Sequence, residues 1–160
     1  VVNIREARIE DVDLLAEIIC SANQMVADQL GLNAENAPTH PSHCQPDWIQ
    51  RDFDKGILYF ILEVDGNPIG CVALEQVENN VCYLERLAVH PKYQEQGYGR
   101  KLVEFFLEKA KSLGNQKVGI AIIQQHEQLR RWYLKLGFIE TTSKQFDHLP
   151  FTVQFMELKL

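Results

Sequence analysis

The sequence contains no apolar run near the roughly 18 residues that a membrane-spanning helix needs, which excludes a helical membrane protein. Its first residues, Val1-Val2-Asn3-Ile4-Arg5-Glu6, lack the basic and apolar regions of a secretory leader, so the expected location is cytoplasmic, with no membrane partner. Basic residues are in deficit: 16 Lys and Arg stand against 22 Asp and Glu, a formal net charge of −6. A general nucleic-acid binder needs the opposite balance to displace counterions from phosphates, so no nucleic-acid partner is expected. The four cysteines, Cys20, Cys44, Cys71 and Cys82, form no Cys-x-x-Cys pair, and three of them lie in apolar runs. That is cysteine as a small hydrophobe in a reducing compartment, not a disulfide scaffold. Low-complexity tracts and internal repeats are also missing.

What is present is ordinary globular composition, 46% hydrophobic and 24% charged over 160 residues. A chain of this length buries roughly 68–70% of its unfolded surface without help from metal or disulfides. No linker rich in Gly, Ser or Pro divides it, so one domain is expected over 1–160. Alternation and turn signals predict a strand from Val2 to Arg8 and a helix beginning at Asp11 and closed by Gly31, its stripe formed by Leu14, Leu15, Ile18, Ile19, Ala22, Met25, Val26 and Leu30. The prolines at 38, 41 and 46 make Asn33 to Pro46 a loop, followed by a short helix over Asp47 to Asp54. Strands are expected at Leu58–Val64 and Ile69–Val77, flanking the hairpin signal Asp65-Gly66, and a third at Val81–Val89 after Asn79-Asn80. A helix over Gly97–Leu113 ends at Gly114, a strand covers Lys117–Ile123, and a helix over Glu127–Leu136 stops at Gly137. Phe138–Thr142 and Phe151–Leu158 supply the last strands. The order β-α-α-β-β-β-α-β-α-β-β indicates an α/β (α+β) domain, with a mixed, mostly antiparallel sheet flanked by helices.

One window departs from the acidic average. From Arg86 to Lys101 there are four bases, Arg86, Lys92, Arg100 and Lys101, against the single acid Glu95. Within it, Gln94-Glu95-Gln96-Gly97-Tyr98-Gly99 opens a helix directly after a strand. The first turn of a helix carries amide hydrogens without intrahelical partners and roughly half a positive charge, and two glycines clear the way for close approach of a ligand. This combination suits a diphosphate. The P-loop pattern is absent, and the dinucleotide fingerprint fails because Leu102 stands three residues after Gly99.

Leu87-x-Val89-x-Pro91 followed by Gln94-x-x-Gly97-x-Gly99 resembles the signature of the GNAT superfamily of N-acetyltransferases. Trp132-Tyr133-Leu134-Lys135-Leu136-Gly137-Phe138 resembles that family's second signature, and the element order is also the family's. The resemblance implies an acetyl-CoA-dependent enzyme, with acetyl-CoA as co-substrate and no metal. Backbone at Leu87, Ala88 and Val89 would pair with the pantetheine arm, and the segment from Gln94 through Gln96, Gly97, Tyr98, Gly99 and Arg100 would hold the pyrophosphate. Tyr133 matches the tyrosine that protonates the departing sulfur, and Glu85 is the candidate base. Alternation, counted along the third meander strand, places Glu85 and Val89 on one sheet face and Arg86 on the other. His126 stands where many members carry an asparagine that contacts pantetheine, and a ring nitrogen could donate in its place. On helical spacing His126, Leu129 and Tyr133 share one face. The acceptor side would comprise Asn33–Pro46 and Phe146–Phe151. Its His40, His43, Cys44 and His148 fit no standard zinc spacing, and the expectation is surface histidines or hydrogen-bonding residues that line the acceptor pocket. A small-molecule amine is the leading acceptor. A peptide amine, or a coenzyme-A-binding module without turnover, are the alternatives, and homodimers are common among look-alikes.

Overall fold

A computed structural model describes residues 1–160. In chain order the elements are β1 (Val2–Glu6), α1 (Val12–Gln29), α2 (Pro46–Asp54), β2 (Leu58–Val64), β3 (Asn67–Glu78), β4 (Val81–Val89), α3 (Tyr98–Ser112), β5 (Lys117–Ile123), α4 (Glu127–Lys135), β6 (Ile139–Gln145) and β7 (Thr152–Lys159), with single 3-10 turns at Ile9–Asp11, Pro41–His43 and Pro91–Tyr93. The strands form one seven-stranded sheet in the order β1-β2-β3-β4-β5-β7-β6. Every pairing is antiparallel except β4 with β5. This is the mixed, mostly antiparallel architecture expected from the sequence. No helix is long and apolar enough to cross a membrane.

Local chemistry explains the elements that the sequence pattern located. Asp65 and Gly66 both have positive φ, 51° and 82°, as a two-residue hairpin turn matching strand twist requires. The stripe of α1 buries Leu15, Ile18 and Ile19 completely or nearly so. Asp11 occupies the position before that helix, but its side chain does not cap it. Instead its carboxylate receives Arg5 in a two-pronged bond of 2.9 and 3.0 Å, while Arg5 Nε reaches Glu63 at 3.2 Å. The hydrogen bonds from Arg5 hold the Asp11 carboxyl below its usual range. The first strand is therefore shorter than expected and is fastened to its neighbour and to the helix start by one guanidinium.

The sheet has a core on each face. Phe60, Leu62, Val72, Leu74 and Leu84 pack against Leu102, Val103 and Phe106 of α3 and Tyr133 of α4. On the other face, Tyr59, Ile61, Cys71, Ala73 and Ala88 meet α1 and α2 through Leu15, Ile18, Ile19 and Ile49.

Two irregularities in β4 shape everything downstream. Residues Val81, Cys82 and Tyr83 pair with Lys117, Val118 and Gly119, and there the parallel ladder with β5 ends. From Leu84 onward β4 pairs with β3 alone, while β5 continues along β7 as far as Ile123. Within that stretch Cys71 faces Ala88 and Ala73 faces Glu85, so Arg86 and Leu87 together oppose Val72. This is a β-bulge, with Arg86 at φ 54°. A bulge bends its strand and sharpens the local twist, which steers β4 away from β5.

The bulge also corrects the sidedness that simple alternation predicts. Leu84, Leu87 and Val89 pack toward α3 and α4, and Ala88 toward α1 and α2. Glu85 lies opposite Ala73, on the α1–α2 face. Glu85 and Val89 therefore occupy opposite faces. Arg86 shares the face of Glu85, with its guanidinium 5.7 Å over the Trp48 ring of α2 and its Nε 3.9 Å from Asp52.

Gly70 holds β3 close beneath this region. A Cβ there would sit 3.0 Å from the Ala88 carbonyl oxygen and 3.1 Å from Leu102 Cδ1. Gly70→Ala is expected to lower stability by about 1–3 kcal/mol, the usual result of overpacking. A urea unfolding midpoint equal to that of the parent would refute that tight contact.

Candidate active site and anion cradle

The site begins where β4 stops. The His90 amide bonds the Ile69 carbonyl at 2.8 Å, and His90 Nδ1 accepts the Lys92 amide at 3.2 Å to close the 3-10 turn. Gln94 donates from Nε2 to the Val89 carbonyl at 2.9 Å, and its own amide reaches Pro91. Its side chain thus ties the strand end to the loop, and its amide is not free for a ligand.

Beyond Gln94 the pattern changes. Glu95 and Gly97 both have positive φ, 61° and 85°, alternating with residues of ordinary hand. The next amide with a partner is Lys101, which donates to Gly97 at 3.2 Å. The amides of Glu95, Gln96, Gly97, Tyr98, Gly99 and Arg100 donate to nothing in the protein. Alternating hands aim successive amides into one concavity, and the start of the 15-residue α3 adds its dipole there. The residues expected to offer backbone donors, Gln96, Gly97, Gly99 and Arg100, thus have amides without a partner in the protein, as do Glu95 and Tyr98.

The two glycines serve different ends. A Cβ on Gly97 would meet nothing within 4 Å, so its requirement is conformational, φ 85° being costly for other residues. Gly99 is helical, and a Cβ there would lie 3.5 Å from the Trp132 ring. That is ordinary contact distance, so the Trp132 indole of α4 lies against the first turn of α3 and brings the second signature beside the first.

Next to the cradle runs the unpaired β4 edge from Leu84 to Val89, with β5 diverging beside it. Tyr133 lies in the core beneath α4, edge-on to Trp132 and Phe138 with ring centroids 5.1 and 5.3 Å away. Burial raises the pKa of its phenol, so the proton is held at every physiological pH. The hydroxyl makes no hydrogen bond. The one fully enclosed side-chain polar atom without a partner is His43 Nε2, so the Tyr133 hydroxyl keeps contact with accessible space. His126 is not within the helix, as spacing alone implies, but is its N-cap. Nδ1 accepts the Leu129 amide at 3.4 Å, which places the ring proton on Nε2. Burial lowers its pKa and favours that neutral ring with one free donor.

Glu85 is half-buried on the opposite side of the sheet. Desolvation, first, and the Glu75 carboxylate, second, raise its pKa to about 8, with Arg86 opposing. The neighbouring Asp52 is engaged by the Tyr59 hydroxyl at 2.5 Å and by Arg86. Trp48, Asp52, Tyr59 and Arg86 form a cluster that sequence spacing could not reveal, because its members come from three separate elements and meet only through the bulge.

On the presumed acceptor side, Ala27, Leu32 and Ala37 pack with Ile123 and Phe151. The loop after α1 and the β6–β7 connection are therefore brought together at the open end of β5. His40, expected to line the acceptor pocket, is buried. Its Nδ1 accepts the Ser42 amide at 3.2 Å and lies 2.8 Å from the Ser42 hydroxyl, so it closes its own turn.

A model of the acetyltransferase (GNAT) family matches residues 24–138. The chain is 35% identical over 95 residues to an amino-acid acetyltransferase of Neisseria meningitidis, a match spanning 59% of this chain and 20% of that protein. It thus covers about a fifth of the length of that relative. An uncharacterized N-acetyltransferase of Lactobacillus delbrueckii is 23% identical over 145 residues, with 82% and 83% of the two chains covered. Among solved structures, the PaiA N-acetyltransferase of Thermoplasma acidophilum in complex with coenzyme A superposes with a TM-score of 0.83 at 19% identity, covering 100% and 99% of the chains. The ribosomal-protein-S18-alanine N-acetyltransferase of Escherichia coli gives 0.80 at 20% identity, covering 99% and 94%. At such identities the structural likeness is one of fold.

Gly97→Glu, which strains the positive φ and places a carboxylate in the cradle, is expected to weaken acetyl-CoA binding at least about tenfold, or about 1.4 kcal/mol. Calorimetric titration of a variant with native circular dichroism checks this, and an unchanged dissociation constant would remove the cradle from the site.

Proposed function

The chain belongs to the GNAT acetyltransferase family, and on that premise we propose that residues 1–160 act as a single-domain, acetyl-CoA-dependent N-acetyltransferase acting on a small-molecule amine. The observation that carries the reading is the β4 edge left open from Leu84 to Val89 and followed, one turn later, by the free amides from Glu95 to Arg100. A strand edge fits an arm made of amide groups, and the free amides fit a diphosphate, which are the two polar parts of coenzyme A.

When bound, acetyl-CoA supplies an acyl group activated as a thioester. The chain's residues do the rest. Leu87, Ala88 and Val89 hold the pantetheine arm through the backbone, with His126 Nε2 as a further donor. The amides from Gln96 to Arg100 hold the pyrophosphate, and Gln94 keeps the loop in register with the strand. An amide on the open edge of β4 polarises the thioester carbonyl. Glu85 takes the proton of the incoming amine and Tyr133 gives its proton to the leaving sulfur, a division of labour between base and acid. Because burial holds the Tyr133 phenol protonated and raises Glu85 to about 8, each group is in or near the state its role requires.

One observation favours a small acceptor. Two relatives that match at 35% identity over 95 residues are amino-acid acetyltransferases by name. A cytoplasmic setting is consistent with four free thiols, three of them buried.

Thiol release from acetyl-CoA, measured with polyamines, aminoglycosides, amino acids and a peptide, tests the reading. Turnover with a small amine is expected, turnover with the peptide alone would shift the acceptor class, and none at all would leave a binding module. Tyr133→Phe is expected to reduce kcat about 10²-fold, the low end of general-acid contributions, with acetyl-CoA affinity retained. Full turnover in that variant would take Tyr133 out of the mechanism. Glu85 accepts a proton only when ionised, so kcat/KM should rise with pH through about 8. Glu85→Gln should abolish that rise, and its persistence would assign the base elsewhere.

A further inference from the structure

The pairing of β3 with β4 brings a second carboxylate to Glu85. Glu75 is opposite Tyr83 and Ala73 is opposite Glu85, so Glu75 and Glu85 are diagonal neighbours on the face covered by α1 and α2. Diagonal neighbours in an antiparallel pair are about 7–8 Å apart at the backbone, which two glutamate side chains span. Neither carboxylate enters any ion pair of the protein. The nearby cation, Arg86, is turned to Asp52 and stacked over Trp48. Of the other elements packed here, α1 presents Ile18, Ile19 and Ala22, none titratable, and β2 presents Tyr59, whose hydroxyl is held by Asp52. Two half-buried carboxylates facing each other without a cation destabilise the fold unless a proton lies between them.

We propose that Glu75 is a positioning residue for the acetyl transfer, forming with Glu85 a proton-sharing pair that makes Glu85 a strong enough base to take a proton from an ammonium acceptor. The proposal rests on the transferase reading above. An unperturbed glutamate, near pKa 4.3, is poorly matched to an alkylammonium near 10.4, and a like-charged partner narrows that gap. The raised pKa of Glu85, with Glu75 as its second cause after burial, agrees with this arrangement.

The step balances as follows in protons and electrons. Ionised Glu85 forms an O–H bond as an N–H bond of the ammonium breaks, and the freed nitrogen lone pair forms the C–N bond to the acetyl carbon. The C–S bond breaks with its electrons on sulfur, which takes the Tyr133 proton. The second nitrogen proton returns to the Tyr133 phenolate through water, and Glu85 releases its proton to solvent.

The test has two arms. Carbon NMR of the glutamate carboxyls follows Glu85 in the unliganded protein, with Glu85→Gln identifying its resonance. In Glu75→Gln the Glu85 midpoint should fall by about one pH unit or more, yet stay above 4.3 because burial persists. The second arm compares kcat/KM with pH. The rise should move to lower pH in Glu75→Gln and the plateau should drop, so that the two profiles converge or cross at acid pH. A merely structural loss would lower the curve without moving it. Glu75→Asp, which retains the charge on a shorter stem, should give intermediate midpoints and supplies the same readout if Glu75→Gln does not fold. An unmoved Glu85 midpoint overturns the pair. A moved midpoint with an unmoved rate profile overturns its role in transfer. A moved midpoint with no turnover by any amine establishes the pair and sinks the transferase reading instead.

Discussion

The site depends on a backbone constraint: β4 pairs with β5 for only three residues before a bulge at Arg86 turns it away. A strand in the middle of a sheet ordinarily has hydrogen-bond partners on both sides, and leaving one side open inside a domain is unfavourable unless something else occupies it. Here the open edge leads through the internally bonded turn at Pro91–Tyr93 to a run of amides, Glu95 to Arg100, that are also unpartnered. The two features lie close together along the chain, separated by one bonded turn.

The same bulge has a second effect, on side chains. By inserting one residue opposite Val72 it places Glu85 and Arg86 on a common face. Arg86 is then neutralised by Asp52 and stacked on Trp48, and Asp52 is fixed by Tyr59. That leaves Glu85 and Glu75 as the uncompensated charges of the region. Burial without a counter-charge is what raises a carboxyl pKa, so the backbone irregularity that opens the ligand track also sets the proton affinity of the candidate base. Opposite them, Tyr133 is held protonated by burial alone. The candidate acid and the candidate base thus lie on opposite faces of the sheet, each with a pKa set by its own surroundings.

Much of this was legible in the order of residues. The hairpin at Asp65-Gly66 was readable because positive φ at consecutive positions demands those residue types, and α3 was readable because its apolar stripe has helical spacing. The cradle was readable because Gly97 answers a local conformational need. One reading failed because its outcome depends on partners distant in sequence. Alternation misplaced Val89 and Arg86 because a bulge is defined against the opposing strand. Asp11 marked the helix start but serves Arg5 and, through it, Glu63.

The sequence by itself determined the element order and the glycine-bearing turn at the head of α3, because each rests on periodicity or on the conformational preference of one or two neighbouring residues. Only the tertiary structure decided which face Glu85 occupies, which carboxylates surround it and where β4 leaves β5. Those outcomes follow from strand register and from the balance of burial against charge pairing. Both are properties of residues brought together across the sheet and are invisible in any short stretch of chain.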